Sequence, residues 1–299
     1  MILIIGSEEE AHSRWVYNRL VEKGIETDYF DSRKYPDNLM ISYSPNNNDG
    51  YFIIDGKKLK YSDIQGIYWR WYYGISQLNS SDNFEREMVF RERTSALNSI
   101  FAGINCNWVN SYNAIELHKT KIFQLNIMKK NNIRIPETLI TNDENALIEF
   151  YEKHNKNVIY KPIRGGAFTQ KLTDEDLRKE QLDTLKTSPI QLQEFIDGTD
   201  IRVMAMGDKI FSAELKTDKI DFRTDTNAIP TPIEIPDNVK DDCKKVLNLL
   251  DLKYSGIDIR RNSQGEYVFI EANPAPMFIF FEQKTNYPIT ETLIELLTK

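Results

Sequence analysis

Apolar and polar positions alternate through Ile257 and Ile259, and again through Val268, Ile270 and Ala272, with the polar stretch 262–265 between the two runs. Alternation with period two predicts a pair of strands joined as a β-hairpin. Pairing Arg261 with Glu266 sets Ile259 against Val268 and Ile257 against Ile270, so these four share one face with Ala272 beyond them. The other face then carries Asp258, Arg260, Tyr267, Phe269, Glu271 and Asn273. In that register Asp258 and Glu271 are diagonal neighbours, roughly 7–8 Å apart at the backbone. Three hard oxygen donors, Asp258, Glu271 and Asn273, converge on a patch that suits one or two Mg²⁺ ions and the phosphate oxygens they bring. The same pattern also suits a plain solvated face, in which acidic residues discourage edge pairing.

Upstream the patterns change period several times. Residues 2–5, a helix through Trp15, Val16 and Leu20, and residues 27–30 predict a β-α-β unit that lacks the three-glycine dinucleotide fingerprint. A hairpin is expected from 51–54 and 57–61, turned on Asp55 and Gly56. The aromatic run 67–74 surrounds Arg70 and reads either as a strand packed on a core or as part of a peptide-binding surface. An amphipathic helix is expected over 84–104, with Phe84, Met88, Leu97 and Ile100 on its buried side. A second helix is expected over 114–131, then a strand over 133–140, a helix over 144–154 and a strand over 158–162. Segments 191–196 and 200–205 read as an extended pair around residues 197–199, followed by a strand at 210–215 and helices at 237–250 and 290–297.

Composition narrows the classes. With 299 residues, 40% of them hydrophobic and 28% charged, the chain can bury a core large enough for two or three domains. A net charge of −7 without a dense basic block argues against nucleic acid and against a membrane surface as partners. The apolar run at residues 1–5 is followed by Gly6 and three glutamates, which reads as a first strand rather than a signal peptide. Cys106 and Cys243 read as unpaired thiols, and a cytoplasmic location is expected. His12, His118 and His154 have no metal-ligand spacing, and no serine-nucleophile elbow occurs.

The remaining chemistry is that of phosphate. Lys161 lies in an apolar strand, where an ammonium is costly unless it meets an anion. Gly165 and Gly166 close that strand and allow backbone N–H groups to approach phosphate oxygens. Arg202 and Arg223 offer guanidinium groups of the kind that suits a transferring phosphoryl group.

Taken in order, these pieces resemble the ATP-grasp ligases, in the RimK-like branch, and within it the microviridin-type (graspetide) peptide cyclases. The resemblance runs from about Lys119 to Glu282 and rests on residues 120–125 and 135–140, 158–162, 193–196, 200–202, 221–223 and 271–274. It implies an α/β (α+β) chain with an ATP-grasp fold behind a pre-ATP-grasp α/β domain. The implied divisions are 1–118 for the latter, 119–195 for the central subdomain and 196–299 for the C-terminal subdomain with the metal site. By the same resemblance Lys121 and Lys161 hold the α- and β-phosphates of ATP, with Gly165 and Gly166 nearby. Glu194, Phe195 and Ile196 meet adenine, and Asp200 meets the ribose. Arg202 and Arg223 stabilise the transferring phosphoryl group, and Asp258, Glu271 and Asn273 bind Mg²⁺. The implied reaction activates a carboxylate as an acyl phosphate, and the implied partner is a ribosomally made precursor peptide with its leader segment; a homodimer stays open. Three readings remain: a peptide cyclase, a ligase adding free amino acids to a small acid or a protein terminus, and a non-catalytic nucleotide-binding module. After the metal strand the microviridin-type pattern continues Asn-Pro-Asn-Gly-Gln, whereas this chain has Ala275, Pro276 and Met277 after Pro274, near the family's acceptor site.

Overall fold

The structure is a computed structural model that describes residues 1–164, 168–217, 219–221, 224–225 and 227–299. It opens with β1 (Ile2–Ile5), α1 (Ala11–Glu22) and β2 (Thr27–Phe30), as the alternation predicts. An antiparallel meander follows, β3 (Leu39–Ser44), β4 (Asp49–Ile54) and β5 (Lys57–Lys60), and its second turn falls on Asp55 and Gly56, both at positive φ. Next come β6 (Gly66–Trp69), α2 (Asn83–Gly103) and β7 (Asn107–Val109). Strands β2, β1, β6 and β7 form a parallel sheet in that order. All four residues of β1 are buried, because both of its faces are covered. Leu3 and Ile5 pack under α2 and the meander, whereas Ile2 and Ile4 pack against residues from the far end of the chain.

Helix α2 departs from expectation. Of its residues only Leu97, Ile100 and Phe101 enter the core, while Phe84 is 73% and Met88 41% exposed. Its first turns therefore carry apolar side chains with no core cluster beneath them. The expected helix over 114–131 is also two helices, α3 (Tyr112–His118) and α4 (Lys121–Lys130). Thr120 leaves helical geometry (φ −105°, ψ 61°) and its hydroxyl donates to the Leu117 carbonyl, a local bond that competes with the helical ladder.

The central sheet holds β8 (Thr138–Thr141), β9 (Val158–Lys161), β10 (Gln170–Lys171) and β11 (Ile190–Glu194), in the antiparallel order β10-β9-β11-β8. β8 begins only after Pro136, which has no N–H to give a ladder. Helices α5 (Glu144–Lys153) and α6 (Lys179–Leu185) bury Leu147, Phe150, Leu182 and Leu185 against Val158 and Leu192.

The C-terminal sheet holds β12 (Thr199–Met206), β13 (Lys209–Leu215), β14 (Pro230–Pro232), β15 (Tyr254–Arg261) and β16 (Tyr267–Asn273), in the order β14-β13-β12-β15-β16. Helix α7 (Asp237–Leu249) packs on it together with α4, and α8 (Ile279–Thr285) and α9 (Ile289–Thr298) close the chain. The expected pairing of 191–196 with 200–205 does not form: β11 pairs with β8 and β9, and β12 with β13 and β15. The chain crosses between sheets through Gly198, at φ +134°, where the Arg261 carbonyl leaves no room for a Cβ. Met204, Met206, Tyr254, Phe278, Leu293 and Leu297 share one core with Ile2, Ile4, Tyr68 and Val109 of the first sheet. The first and last parts of the chain are therefore joined by buried apolar surface. Among the described residues no helix is long and apolar enough to cross a membrane.

The hairpin β15–β16 forms, with a different register. Arg261 faces Tyr267, Arg260 faces Val268 and Ile259 faces Phe269; a bulge follows, after which Asp258 faces Glu271 and Ile257 faces Ala272. The extra residue at the bulge is Ile270, and beside it the Phe269 N–H leaves the ladder to donate to the Arg134 carbonyl over 2.8 Å. Phe269, placed on the polar face by the simple alternation, is instead 1% exposed and joins Ile257, Ile259 and Ala272 in the core. Asp258 and Glu271 are directly opposite one another rather than diagonal.

Candidate active site

Three strands of the C-terminal sheet bring charged side chains into one row. Arg202 on β12 is in register with Asp258 on β15, which is in register with Glu271 on β16. Arg202 Nη1 donates to Asp258 Oδ1 over 2.5 Å, and Lys121, at the start of α4, donates through Nζ to Glu271 Oε2 over 2.8 Å. Burial alone would raise the Glu271 pKa, but Lys121, with His118 and Lys161, outweighs it and holds the carboxyl below its ordinary value. His118, whose Nε2 lies 4.0 Å from Glu271 Oε1, is pushed down by burial and so favours its neutral form. Gly256 leaves space for this arrangement: a Cβ there would run into the Arg202 guanidinium and come within 2.6 Å of Pro276 Cβ.

Strand β16 is a sheet edge, and α4 covers it. Gln124 takes the place of a missing strand, accepting from the Ala272 N–H over 2.9 Å and donating to the Ala272 carbonyl over 2.8 Å. Asn273 follows, opposite Gly256, and its Oδ1 accepts from the Ala275 N–H over 3.0 Å. Two carboxylates directly opposite one another, with an amide oxygen one strand period further on, form a hard oxygen donor set that fits Mg²⁺.

Lys161 of the central sheet acts on this row. It ends β9 and is half-buried, and its charge acts on Glu271. Phe195 has two cations near its ring, with Lys171 Nζ and the Arg260 guanidinium each 5.6 Å from its centre. Glu194 Oε1 accepts from the Glu137 N–H over 2.9 Å, and Ile196 is buried. Arg260 reaches from β15 to Asp200 Oδ1 over 3.0 Å and to the Gly198 carbonyl over 2.6 Å. Burial nevertheless pushes the Asp200 carboxyl up to about 6, against the pull of Arg260 and with help from the negative charges of Asp258 and Asp221. Asp221 accepts from the Thr169 N–H over 3.2 Å. Gly165, Gly166 and Arg223 lie outside the described residues.

The first domain contributes Arg70, from the aromatic run read as a core strand or a peptide-binding surface, together with residues that have no signal in the local pattern. Arg70, 3% exposed, donates through Nη1 to the Ala275 carbonyl over 2.6 Å and pairs through Nη2 with Glu10 Oε1 at 3.1 Å. Glu10 also caps α1 through the Ser13 N–H, at 2.6 Å. His12 Nε2 accepts from the Phe278 N–H over 3.0 Å, which leaves its proton on Nδ1, facing Glu10 Oε1 at 3.2 Å. Asn110 donates to the Tyr254 and Pro274 carbonyls and accepts from the Lys253 and Tyr254 N–H groups, all within 3.1 Å. The segment 274–278, where this chain departs from the microviridin-type pattern, is thus fixed by the first domain. In the aromatic run Tyr68 and Trp69 are buried, whereas Trp71 is 51% exposed.

Two family models match the chain. Residues 118–297 match the RimK-like ATP-grasp domain, and residues 1–116 match the MvdD pre-ATP-grasp domain. The chain is similar to the alpha-aminoadipate–LysW ligase LysX of Sulfolobus acidocaldarius, at 26% identity over 262 residues, covering 82% of this chain and 95% of the relative. It is also similar to the ATP-grasp ligase PsnB complexed with minimal precursor, at TM-score 0.87 and 30% identity, covering 99% of this chain and 97% of that one. PsnB complexed with a phosphomimetic variant of minimal precursor, Mg and ADP gives TM-score 0.86 and 29% identity, covering 100% and 98%. The macrocyclase MdnC of Microcystis aeruginosa MRC, bound with precursor peptide MdnA, shares the fold at TM-score 0.86 and 20% identity, covering 100% and 98%.

Proposed function

We propose, for a chain that belongs to the RimK-like ATP-grasp family, that it closes ester or amide bonds between side chains of a ribosomally made precursor peptide. It is an ATP-grasp ligase that uses ATP and Mg²⁺. The observation that carries the peptide reading is the likeness to PsnB, which spans the pre-ATP-grasp domain as well as the ligase core at 30% identity.

In this reading the nucleotide lies between the central subdomain, 119–195, and the C-terminal subdomain, 196–299. Glu194, Phe195 and Ile196 meet the adenine and Asp200 the ribose. Lys121 and Lys161 hold the α- and β-phosphates, and Gly165 and Gly166 are assigned to the same role. Asp258, Glu271 and Asn273 would hold Mg²⁺, and the bound ion would supply positive charge to the phosphate oxygens. A side-chain carboxylate of the peptide attacks the γ-phosphorus, ADP leaves and an acyl phosphate forms. Arg202 and Arg223 stabilise the phosphoryl group in flight. A hydroxyl or amine of the same peptide then attacks the acyl carbon and phosphate leaves, so the peptide loses one water for each bond closed. The work of the protein is positioning and charge compensation, which matches the absence of a nucleophilic triad in the sequence.

One observation favours a second reading. LysX, matched over most of both chains, is named as an alpha-aminoadipate–LysW ligase, so attachment of an amino acid to a carrier protein is the alternative. Mass spectrometry separates the two. Incubation with ATP, Mg²⁺ and a full-length precursor carrying its leader is expected to release ADP and remove one water per bond. ADP release driven by a free amino acid, with a mass gain of one amino-acid residue on the acceptor, would overturn the cyclase reading.

A further inference from the structure

The row across the C-terminal sheet has an order of charges that the proposed reaction does not by itself require. Arg202, Asp258, Glu271 and Lys121 run plus, minus, minus, plus, with the end pairs in contact at 2.5 and 2.8 Å. Like charges directly opposite on neighbouring strands destabilise a sheet, and the bulge sets Asp258 and Glu271 in that relation. The two flanking cations offset the repulsion. The row is sheltered, with side-chain exposures of 13% and 30% in the first pair and 23% and 21% in the second, so solvent screens it incompletely. A divalent ion that took both carboxylates would lie beside Arg202 and Lys121, each of which already holds one oxygen of its carboxylate. With both cations still in place, four positive charges would face two negative ones. A polyphosphate removes that conflict, because its oxygens accept the displaced ammonium and guanidinium groups.

We propose that Lys121 is a displaceable counterion standing in for the metal on Glu271, so that the Asp258–Glu271 pair admits a divalent ion only together with a nucleoside polyphosphate. Lys121 then has two successive partners, Glu271 and a phosphate, and the exchange couples metal entry to nucleotide entry. Coupling of this kind is reciprocal: nucleotide raises the affinity for metal by the same factor as metal raises that for nucleotide. This inference rests on the metal-ligand assignment made above.

The test is Mn²⁺ binding to the full-length protein, followed by electron paramagnetic resonance of the free ion, without nucleotide and with ADP. Wild type without nucleotide is expected to bind Mn²⁺ weakly. Lys121→Met is expected to bind it at least about tenfold more tightly, since one competing charge is gone, and Lys121→Met/Glu271→Gln is expected to lose that gain. Lys121→Gln serves as a second variant, and thermal midpoints confirm that each protein is folded. Equal nucleotide-free binding by wild type and both Lys121 variants would overturn the exchange. If Glu271→Gln then weakened that binding in wild type, the metal assignment would stand without the exchange. Absence of protein-bound Mn²⁺ even with ADP would overturn the metal assignment and the exchange together.

Discussion

Arg70→Met probes how firmly the first domain holds the strand end that carries Asn273. Arg70 is 3% exposed and its partner Glu10 is 14% exposed, so little of their interaction is screened by water. The substitution keeps much of the side-chain volume but removes the pair at 3.1 Å and the bond to the Ala275 carbonyl at 2.6 Å. Removing one partner of a buried ion pair typically costs about 3–5 kcal/mol. Glu10 keeps its bonds to Ser13 and His12, so the lower end, about 3 kcal/mol, is expected. Urea unfolding followed by tryptophan fluorescence reads this loss. Glu10→Gln/Arg70→Met should lose less than the sum of its single variants by at least about 1 kcal/mol, because the stranded charge is gone. The pH dependence has a definite sign. Burial raises the Glu10 pKa, but hydrogen bonds from His12 and Arg70 outweigh it and hold the carboxyl well below its ordinary range. Stability from a depressed carboxyl is present above the unfolded pKa and lost as pH falls toward the folded value. The margin of wild type over Arg70→Met should therefore narrow below about pH 4. A loss under about 1 kcal/mol, or an additive double variant, would refute the pairing as the source of rigidity.

Two further outcomes check other parts of the structure. Asp200 has its pKa raised to about 6, so its contribution to stability is present below the ordinary carboxylate range and lost as pH rises through about 6. The unfolding free energy of Asp200→Asn relative to wild type should rise by about 3 kcal/mol between roughly pH 3 and 8, and parallel curves would refute the shift. In α2, Leu97→Ala should cost about 2–5 kcal/mol, as truncation of a fully buried leucine does. Phe84→Ser should change stability by no more than about 0.5 kcal/mol, and equal losses in thermal or urea unfolding would show that the first turns of α2 are packed after all.

The parts of the molecule that were legible in the sequence are those decided within a few residues. Strand β1, the turn on Asp55 and Gly56, helix α5 and the two arms of the β15–β16 hairpin all follow from local period and turn chemistry. The bulge did not, because Val268, Phe269 and Ile270 are three apolar residues in a row and alternation cannot choose among them. Nor did the partners of the site. Lys121 meets Glu271 across 150 residues of chain, Arg70 meets Ala275 across 205 and His12 meets Phe278 across 266. Such contacts are set by how the sheets stack, not by local propensity.

The register at the bulge carries more chemistry than its one residue suggests. A diagonal Asp258 and Glu271 would each be hydrated at separate points of the strand face, with weak mutual repulsion. Set directly opposite, they form a concentrated negative site across an edge strand and its neighbour, and such a site is tolerable only with compensation on both sides. Arg202 supplies it from the neighbouring strand and Lys121 from the helix that Gln124 docks on the free edge. The hydrogen bonds of Gln124 to Ala272 fix β16 one residue from Glu271, and those of Asn110 and Arg70 fix the chain just after Asn273. The acidic pair is therefore bracketed along the strand by polar side chains from two different parts of the chain, and bracketed across the sheet by two cations. A site held in both directions keeps its carboxylates in place, which is the fixed charge that the proposed phosphoryl transfer requires.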